Sequence, residues 1–338
     1  MTDKIPQTMK AAVVKDFKKG YEVREVDVPS LGPNNVLVKI HAAGYCHTDL
    51  QVEEGVYKSD GAKPGLIGSH EPAGEVVKTG SAAGESNIAV GDRVGSINTY
   101  GFCGSCNACK KQGQQLCEKL VGMLGLTING GFAEYMKADA RVVSKIPESI
   151  PEGEWLAIIG IGGLGHLGVQ YAKAMGAKVI AIDNRKEGIE TANAVPGHLE
   201  PDKSFVVDSP EAEQDVIKEL QSSFYDTNSG VDRVVINAEA LGLVKFSQQF
   251  LRKGGTLVDV GLPSDELLEV DPFALSFKEQ TVKGRLICTP EQCQEMLDIH
   301  AKNGCKTHIE KTYSVDQINE MCEHYQRKDL RGRLCMVF

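Results

Sequence analysis

Apolar residues fall in short, punctuated runs through the first 150 or so positions and in longer, more regular ones afterwards. Val36-Leu37-Val38-Lys39-Ile40 predicts a buried strand. Gly74-Glu75-Val76-Val77-Lys78-Thr79-Gly80 predicts a second, and Gly91-Asp92-Arg93-Val94 a turn into a third. Gly130-Gly131-Phe132-Ala133-Glu134-Tyr135 resumes the strand pattern. This succession, broken by glycine and proline, predicts a compact β-rich domain. The character changes near Pro151. Leu156-Ala157-Ile158-Ile159 is an apolar run ending in a glycine-rich turn. Leu164, Leu167, Gly168, Tyr171, Ala172 and Met175 then recur along one face of a predicted helix, with Gly176 placed to end it. Lys178–Asp183 predicts a second buried strand. The order strand, turn, helix, strand implies a parallel pair with a right-handed crossover. Val234-Val235-Ile236 and Thr256–Val260 extend this doubly wound sheet to about residue 284, and the tail carries helical stretches such as Pro290–His300. There is no internal repeat, low-complexity tract or linker.

The chain of 338 residues has room for two domains, and its 41% hydrophobic and 25% charged composition excludes disorder. The net charge of −9 and pI near 5.5 argue against nucleic acid or anionic lipid as partners. No run approaches the roughly 20 apolar residues that span a bilayer. Met1–Lys10 lacks the apolar centre of a leader, and Leu334–Phe338 carries no familiar address. A soluble, cytoplasmic protein is the expectation. Of ten cysteines, four cluster at metal-ligand spacing and the others scatter, which favours thiolate ligands in a reducing compartment over a disulfide framework.

Gly160-Ile161-Gly162-Gly163-Leu164-Gly165 matches G-x-G-x-x-G between a predicted strand and helix. The first glycine permits the tight turn, the second lets backbone approach a diphosphate, and the third lets helix and strand pack closely. The helix N-terminus adds free N–H groups and a positive dipole end. Asp183 ends the second strand, where a carboxylate binds a ribose and repels a 2′-phosphate, so NAD is favoured over NADP. Arg185, two residues on, pulls the other way. A glycine-rich turn without a ligand is the plainer alternative.

Cys103, Cys106, Cys109 and Cys117 are spaced C-x2-C-x2-C-x7-C. One loop with that spacing can surround a tetrahedral ion with four thiolates and leave no open position, so it reads as a structural zinc site. Four buried thiols and an iron–sulfur cluster are the alternatives. A third group is Gly44-Tyr45-Cys46-His47-Thr48-Asp49 with Gly68-Ser69-His70-Glu71-Pro72. Cys46 and His70 are zinc-ligand types, yet taken alone each is as compatible with packing or a surface position as with a metal.

With these groups in this order, the chain resembles the zinc-containing alcohol dehydrogenases of the medium-chain dehydrogenase/reductase superfamily. The resemblance covers almost the whole chain. The wording over Ile159–Leu167 is close to the microbial propanol-preferring and fungal branches. It implies an α/β architecture: a GroES-like β-rich catalytic domain over 1–153, completed by 285–338, and a Rossmann domain over 154–284. It implies that Cys46 and His70 ligate a catalytic zinc and that Asp49 hydrogen-bonds the His70 ring. Glu71 would lie beside the metal and ligate it in some states. Thr48 would hydrogen-bond the alcohol oxygen and pass its proton outward, and His47 would reach the cofactor diphosphate. Cys103, Cys106, Cys109 and Cys117 would hold structural zinc. Gly160, Gly162, Gly163, Leu164, Gly165, Asp183 and Arg185 would meet NAD. The activity implied is reversible oxidation of primary or small secondary alcohols to aldehydes or ketones, in a homodimer or homotetramer that pairs near Leu286–Cys288.

The chain departs from the family pattern twice. Relatives commonly end the proton relay with a histidine where Gln51 stands, and neutral glutamine cannot take up a proton as imidazole does. Solvent, Glu53 or Glu54 would have to substitute. Relatives also place a third zinc ligand, a cysteine, in a helical stretch that belongs between Ile150 and Pro151. By comparison about two dozen residues, roughly seven helical turns, are missing there. No cysteine occurs between Cys117 and Cys288. Three readings follow: a natural deletion with a weakened site, a catalytically impaired NAD-binding relative, or a gene model that lost an exon. A zinc-free quinone-reductase-like carrier is a further class, disfavoured by the Cys46 and His70 pair.

Overall fold

The computed structural model describes residues 5–86, 88–95, 98–142, 154–223, 230–261 and 267–338. They fall into two units: Met1–Pro147 with Ile287–Met296 and Ile309–Phe338, and Glu148–Leu286 with Leu297–His308. The apparent deletion after Ile150 lies outside the described residues.

In the first unit β1 (Thr8–Val14) pairs antiparallel with β2 (Tyr21–Asp27). The predicted Val36–Ile40 run lies in β3 (Asn35–Tyr45), whose buried positions are nearly continuous because it is central to a sheet. Helix α1 (His47–Glu54) follows directly. The other predicted strands appear as β4 (Glu71–Thr79), antiparallel to β3, and β5 (Arg93–Gly95), antiparallel to β4. A small ladder of β6 (Thr99–Tyr100) and β7 (Gly122–Met123) flanks a loop that contains α2 (Asn107–Lys111).

The Gly130–Tyr135 segment departs from expectation: only Tyr135 enters a strand, β8 (Tyr135–Asp139), which pairs with β3. The preceding residues serve as a strut. Gly130, Gly131 and Phe132 donate their N–H groups to the carbonyls of Ile67, Ser69 and Gly68. A side chain at Gly130 would strike the Ser69 carbonyl, so backbone packs on backbone here.

The second unit is an all-parallel sheet. Strands β9 (Trp155–Ile159), β10 (Lys178–Asp183), β11 (Lys203–Val206), β12 (Val231–Ile236), β13 (Leu251–Asp259) and β14 (Thr281–Gly284) stand in the order β11-β10-β9-β12-β13-β14. This is the doubly wound order of a dinucleotide-binding fold. Alternate residues of β9 serve different cores: Ala157 and Ile159 pack with Val216, Leu220 and Phe250, while Leu156 and Ile158 pack with Val169, Ala172 and Ile189. Burial on both faces explains why the run reads as continuously apolar. The helices are α3 (Gly165–Ala174), α4 (Lys186–Asn193), α5 (Pro210–Ser223), α6 (Leu243–Phe250) and α7 (Pro272–Phe277).

The buried stripe of α3 shares only Ala172 with the predicted one. Gly165, His166, Val169, Gln170 and Ala172 are buried, while Leu164 is more than half exposed. Two polar side chains, His166 and Gln170, occupy inward positions because backbone groups satisfy them, and a reading of apolar periodicity alone passes over them.

Helix α8 (Pro290–Asn303) leads back to the first unit, where β15 (Ile309–Tyr313), α9 (Ile318–Tyr325) and β16 (Arg333–Val337) complete the sheet as β15-β16-β3-β4-β5. Residues Leu297–His308 group with the second unit, so 285–338 does not return to the first as one piece. The reason is local: Gln170 and His166 hydrogen-bond the backbone of Lys306 and His308.

Candidate active site and metal centres

The turn from β9 into α3 assigns each glycine a different duty. Gly160 has φ +85°, and a Cβ there would lie 2.8 Å from the Ala238 Cβ. A Cβ on Gly165 would strike the Gly160 carbonyl, whereas nothing lies within 4 Å of one on Gly162. The N–H groups of Gly162, Gly163 and Leu164 find no acceptor among the described residues. The turn therefore offers an open, donor-rich rim. Asp183, buried at the end of β10, accepts the Ile161 N–H at 2.6 Å through Oδ2 and the Arg185 N–H at 2.8 Å through Oδ1. The Arg185 Nε lies 3.5 Å from the same Oδ1. Asp183 thus ties the end of β10 to the glycine turn.

Cys103, Cys106, Cys109 and Cys117 bring their four Sγ atoms within 4.8 Å of one another. The Cys103–Cys117 and Cys106–Cys117 Sγ separations are 3.6 and 4.0 Å, against about 3.8 Å for the edge of a tetrahedral four-thiolate zinc site with its usual bond length. Backbone N–H groups of Cys106, Cys109 and Lys119 point at the sulfurs of Cys103, Cys106 and Cys117. These donors favour thiolate, and those of Ser105 and Cys106 lower Cys103 to about 5. Cys109 is pushed up to about 12 by burial and by the neighbouring sulfurs. One cation among four sulfurs this close would hold all of them as thiolates, Cys109 included.

The third group assembles around α1. Cys46 caps that helix in a box with Asp49, whose Oδ2 accepts the Cys46 N–H at 3.0 Å. Its Sγ lies 3.4 Å from Nε2 of His70. His70 follows Ser69, which is fully buried with φ +66°. Ser69 is held there by its N–H to Asp49 Oδ1 (2.8 Å), its hydroxyl to the Gly44 carbonyl (3.0 Å) and the Gly130–Phe132 strut. Burial works against charge on His70, but the Cys46 sulfur, Asp49 and Glu71 outweigh it and push the ring to about 10. Burial also raises Asp49, with His70 opposing. Thr48 lies half-buried in the first turn of α1, and the His47 ring sits 6.4 Å from that of Tyr325.

Comparison with known proteins places this arrangement in context. The profile for the alcohol dehydrogenase GroES-like domain matches residues 32–148, and that for zinc-binding dehydrogenases matches residues 163–302. An alcohol dehydrogenase of Geobacillus stearothermophilus is 35% identical over 97% of this chain and 98% of its own length. One from Schizosaccharomyces pombe is 33% identical over 83% of this chain and 84% of its own. A zinc-binding dehydrogenase of Sinorhizobium meliloti, solved with NADP bound, superposes with a TM-score of 0.82 at 27% identity, covering 98% of this chain and all of its own. The chain belongs to the zinc-type alcohol dehydrogenase family.

In this alcohol dehydrogenase relative the donor sets fit zinc. The Cys46–His70 separation matches the roughly 3.5 Å edge expected between sulfur and nitrogen ligands of one zinc ion. One expected role differs from what the geometry shows. Asp49 does not bond the His70 ring: its oxygens serve the Cys46 and Ser69 N–H groups, and the buried Nδ1 of His70 has no partner among the described residues. Asp49 holds the two ligand-bearing backbones instead, because α1 starts so tightly that its carboxylate turns inward to cap. Glu71, expected beside the metal and as a ligand in some states, here has its Oε1 2.9 Å from Nη2 of Arg333 and its charge acting on His70. Arg333 was not legible as a site residue, although a cation next to the alternating apolar residues of β16 was a signal. Gln51 is buried and accepts the Tyr57 hydroxyl at 2.9 Å, and Glu53 accepts the Gly20 N–H at 2.7 Å.

Proposed function

We propose that this oxidoreductase interconverts small primary or secondary alcohols and their aldehydes or ketones with NAD, using zinc held by Cys46 and His70. The reading rests on the 3.4 Å approach of the Cys46 sulfur to the His70 ring in a chain of this family. When bound, zinc supplies a Lewis acid that acidifies an alcohol hydroxyl, and the nicotinamide supplies the hydride acceptor. The protein's own groups do the rest. Thr48 takes a hydrogen bond from the hydroxyl and passes the proton toward solvent. The free N–H groups of Gly162, Gly163 and Leu164 bind the diphosphate. Asp183 accepts from the ribose hydroxyls and disfavours a 2′-phosphate, and Arg185 borders the same end. The cysteine quartet folds its lobe around structural zinc. Metal analysis of the purified chain, with NADH formation from ethanol and longer alcohols, tests this. Less than one zinc per chain would overturn it.

A second reading is a catalytically impaired NAD-binding relative. Its support is that the alignment with the Geobacillus enzyme runs over 353 positions, more than the 338 residues present, so this chain lacks residues its relative has. Tight NADH binding with no turnover across an alcohol panel would favour it.

Homo-oligomerisation and a cytoplasmic location belong to the same proposal. Strand β14 is the last of the described strands in the sheet order, and Phe273, Phe277 and Leu286, close to it in sequence, are exposed. All ten cysteines are unbridged, and no described helix is long and apolar enough to cross a membrane. Light scattering that returns only the 36.5 kDa monomer would remove the oligomer.

A further inference from the structure

His166 lies in the first turn of α3 and is buried. Its Nδ1 is 2.9 Å from the Gly162 carbonyl oxygen, and its Nε2 accepts the His308 N–H at 3.1 Å. A backbone N–H only donates, so Nε2 carries no proton and the ring's proton sits on Nδ1, donated to Gly162. One turn on, the buried Gln170 grips Lys306 from both sides: Oε1 accepts the Lys306 N–H at 2.8 Å and Nε2 donates to the Lys306 carbonyl at 2.9 Å. Nε2 also donates to the His166 carbonyl at 3.0 Å. The segment 306–308 is thereby latched to α3, and the latch fixes the tautomer of the histidine that holds the glycine turn.

We propose, resting on the cofactor reading above, that His166 is a positioning residue that aims the Gly162–Gly163 peptide at the dinucleotide diphosphate. In a trans peptide the C=O and the following N–H point in opposite directions, and no described peptide is cis. The Gly162 oxygen also accepts the His166 N–H at 3.2 Å, and drawing it onto this donor and the imidazole together turns the Gly163 N–H outward, where it has no protein acceptor among the described residues. The empty surroundings of a Cβ on Gly162 leave room for an anion on that side. Donation to the carbonyl also polarises the amide and strengthens its N–H as a donor. Glycines give the turn its reach but leave it many conformations. The imidazole reinforces the first backbone bond of the helix in selecting one of them, and Gln170 with Lys306 and His308 holds the imidazole.

The test uses the full chain with His166→Leu and His166→Gln, titrated with NADH and separately with adenosine, which lacks the diphosphate. His166→Leu is expected to bind NADH about tenfold more weakly, the worth of one well-placed hydrogen bond, and adenosine within about twofold of wild type. His166→Gln, which keeps a donor and an acceptor, restores most of the NADH affinity. In steady state KM for NAD rises more than kcat falls. A leucine variant that binds NADH like wild type overturns the proposal, as does an equal loss for adenosine, which marks general loosening. Should the leucine variant not fold, nitrogen NMR of wild type decides. The Nδ1-protonated tautomer of His166 and a Gly163 amide shift on adding NADH are expected, and the other tautomer or an unmoved amide refutes it. Wild type that binds no NADH fails with the cofactor reading itself, and so differs from wild type that binds NADH while the variants do not change.

Discussion

Glu71 reaches across Gly44 to Arg333, with Oε1 and Nη2 2.9 Å apart. Strand β3 separates the two: Gly44 pairs with Glu71 of β4 on one side and with Cys335 of β16 on the other. Burial works against the Arg333 charge, and Glu71, followed by the Cys46 sulfur, more than compensates. Arg333→Leu leaves Glu71 without its guanidinium partner while Asp49 still opposes its charge. The expected loss is about 2–4 kcal/mol of unfolding free energy for breaking a largely buried pair. Urea denaturation with both metals bound measures it, and a loss below about 0.5 kcal/mol, typical of a surface pair, would show the pair to be incidental.

Gly44→Ala tests the same relationship from the strand between. A Cβ there would strike Glu71 Oε2 and stand 3.2 Å from the Glu71 Cβ. Glu71 must then swing away from Arg333, and overpacking of this kind costs about 1–3 kcal/mol. Arg333→Leu and Gly44→Ala should be strongly non-additive, because each removes the same ion pair. Additive losses would mean that Gly44 serves something else.

The cysteine quartet should behave as one unit. Cys109→Ser is expected to lower zinc by one ion per chain in plasma-emission analysis and to leave the Cys46 and His70 ion in place. A structural zinc contributes its binding energy to folding, so the melting temperature should drop by several degrees or more. Loss of both ions together would show that the two centres are not independent.

How far the residues announced this structure depended on whether apolar pattern or polar satisfaction decided the position. Strands β3, β9 and β10 were legible because burial on both faces leaves an unbroken apolar run. The cysteine quartet and the glycine turn were legible because their spacing is itself the geometry. The inward face of α3 was not, since His166 and Gln170 look like surface residues until the backbone of 306–308 comes to meet them. Glu71 and Arg333 are 262 positions apart and meet only through sheet pairing on either side of β3. Asp49 was placed near the right residues with the wrong bond: its carboxylate faces backbone N–H groups, which every residue carries and no spacing reveals.

Asp183→Ala should change cofactor choice and loosen the turn together. Its carboxylate is buried and accepts the Ile161 N–H, so removal frees the residue beside Gly160. It also removes the charge expected to repel a 2′-phosphate, and leaves Arg185 without its 3.5 Å partner. Fluorescence titration should show NADH binding weakened about tenfold or more and the preference for NADH over NADPH reduced by at least about the same factor. Unchanged discrimination would place the choice of cofactor elsewhere in the chain.

His300 gives the second unit a predictable response to acid. Its Nδ1 lies 3.0 Å from the Tyr171 hydroxyl, and partial burial holds its pKa below the usual 6.5. The unfolded chain therefore takes up this proton more readily than the folded one. The contribution to stability is complete above the unfolded value of about 6.5 and is lost as pH falls through the lower folded value. His300→Gln removes the titration and retains a polar partner for Tyr171. Unfolding free energies measured from about pH 8 down to about pH 5 should fall less steeply for the variant than for wild type, with the two curves diverging only on the acid side. Parallel curves would mean that His300 is as ready to charge in the folded protein as out of it, and that its contact with Tyr171 excludes no water.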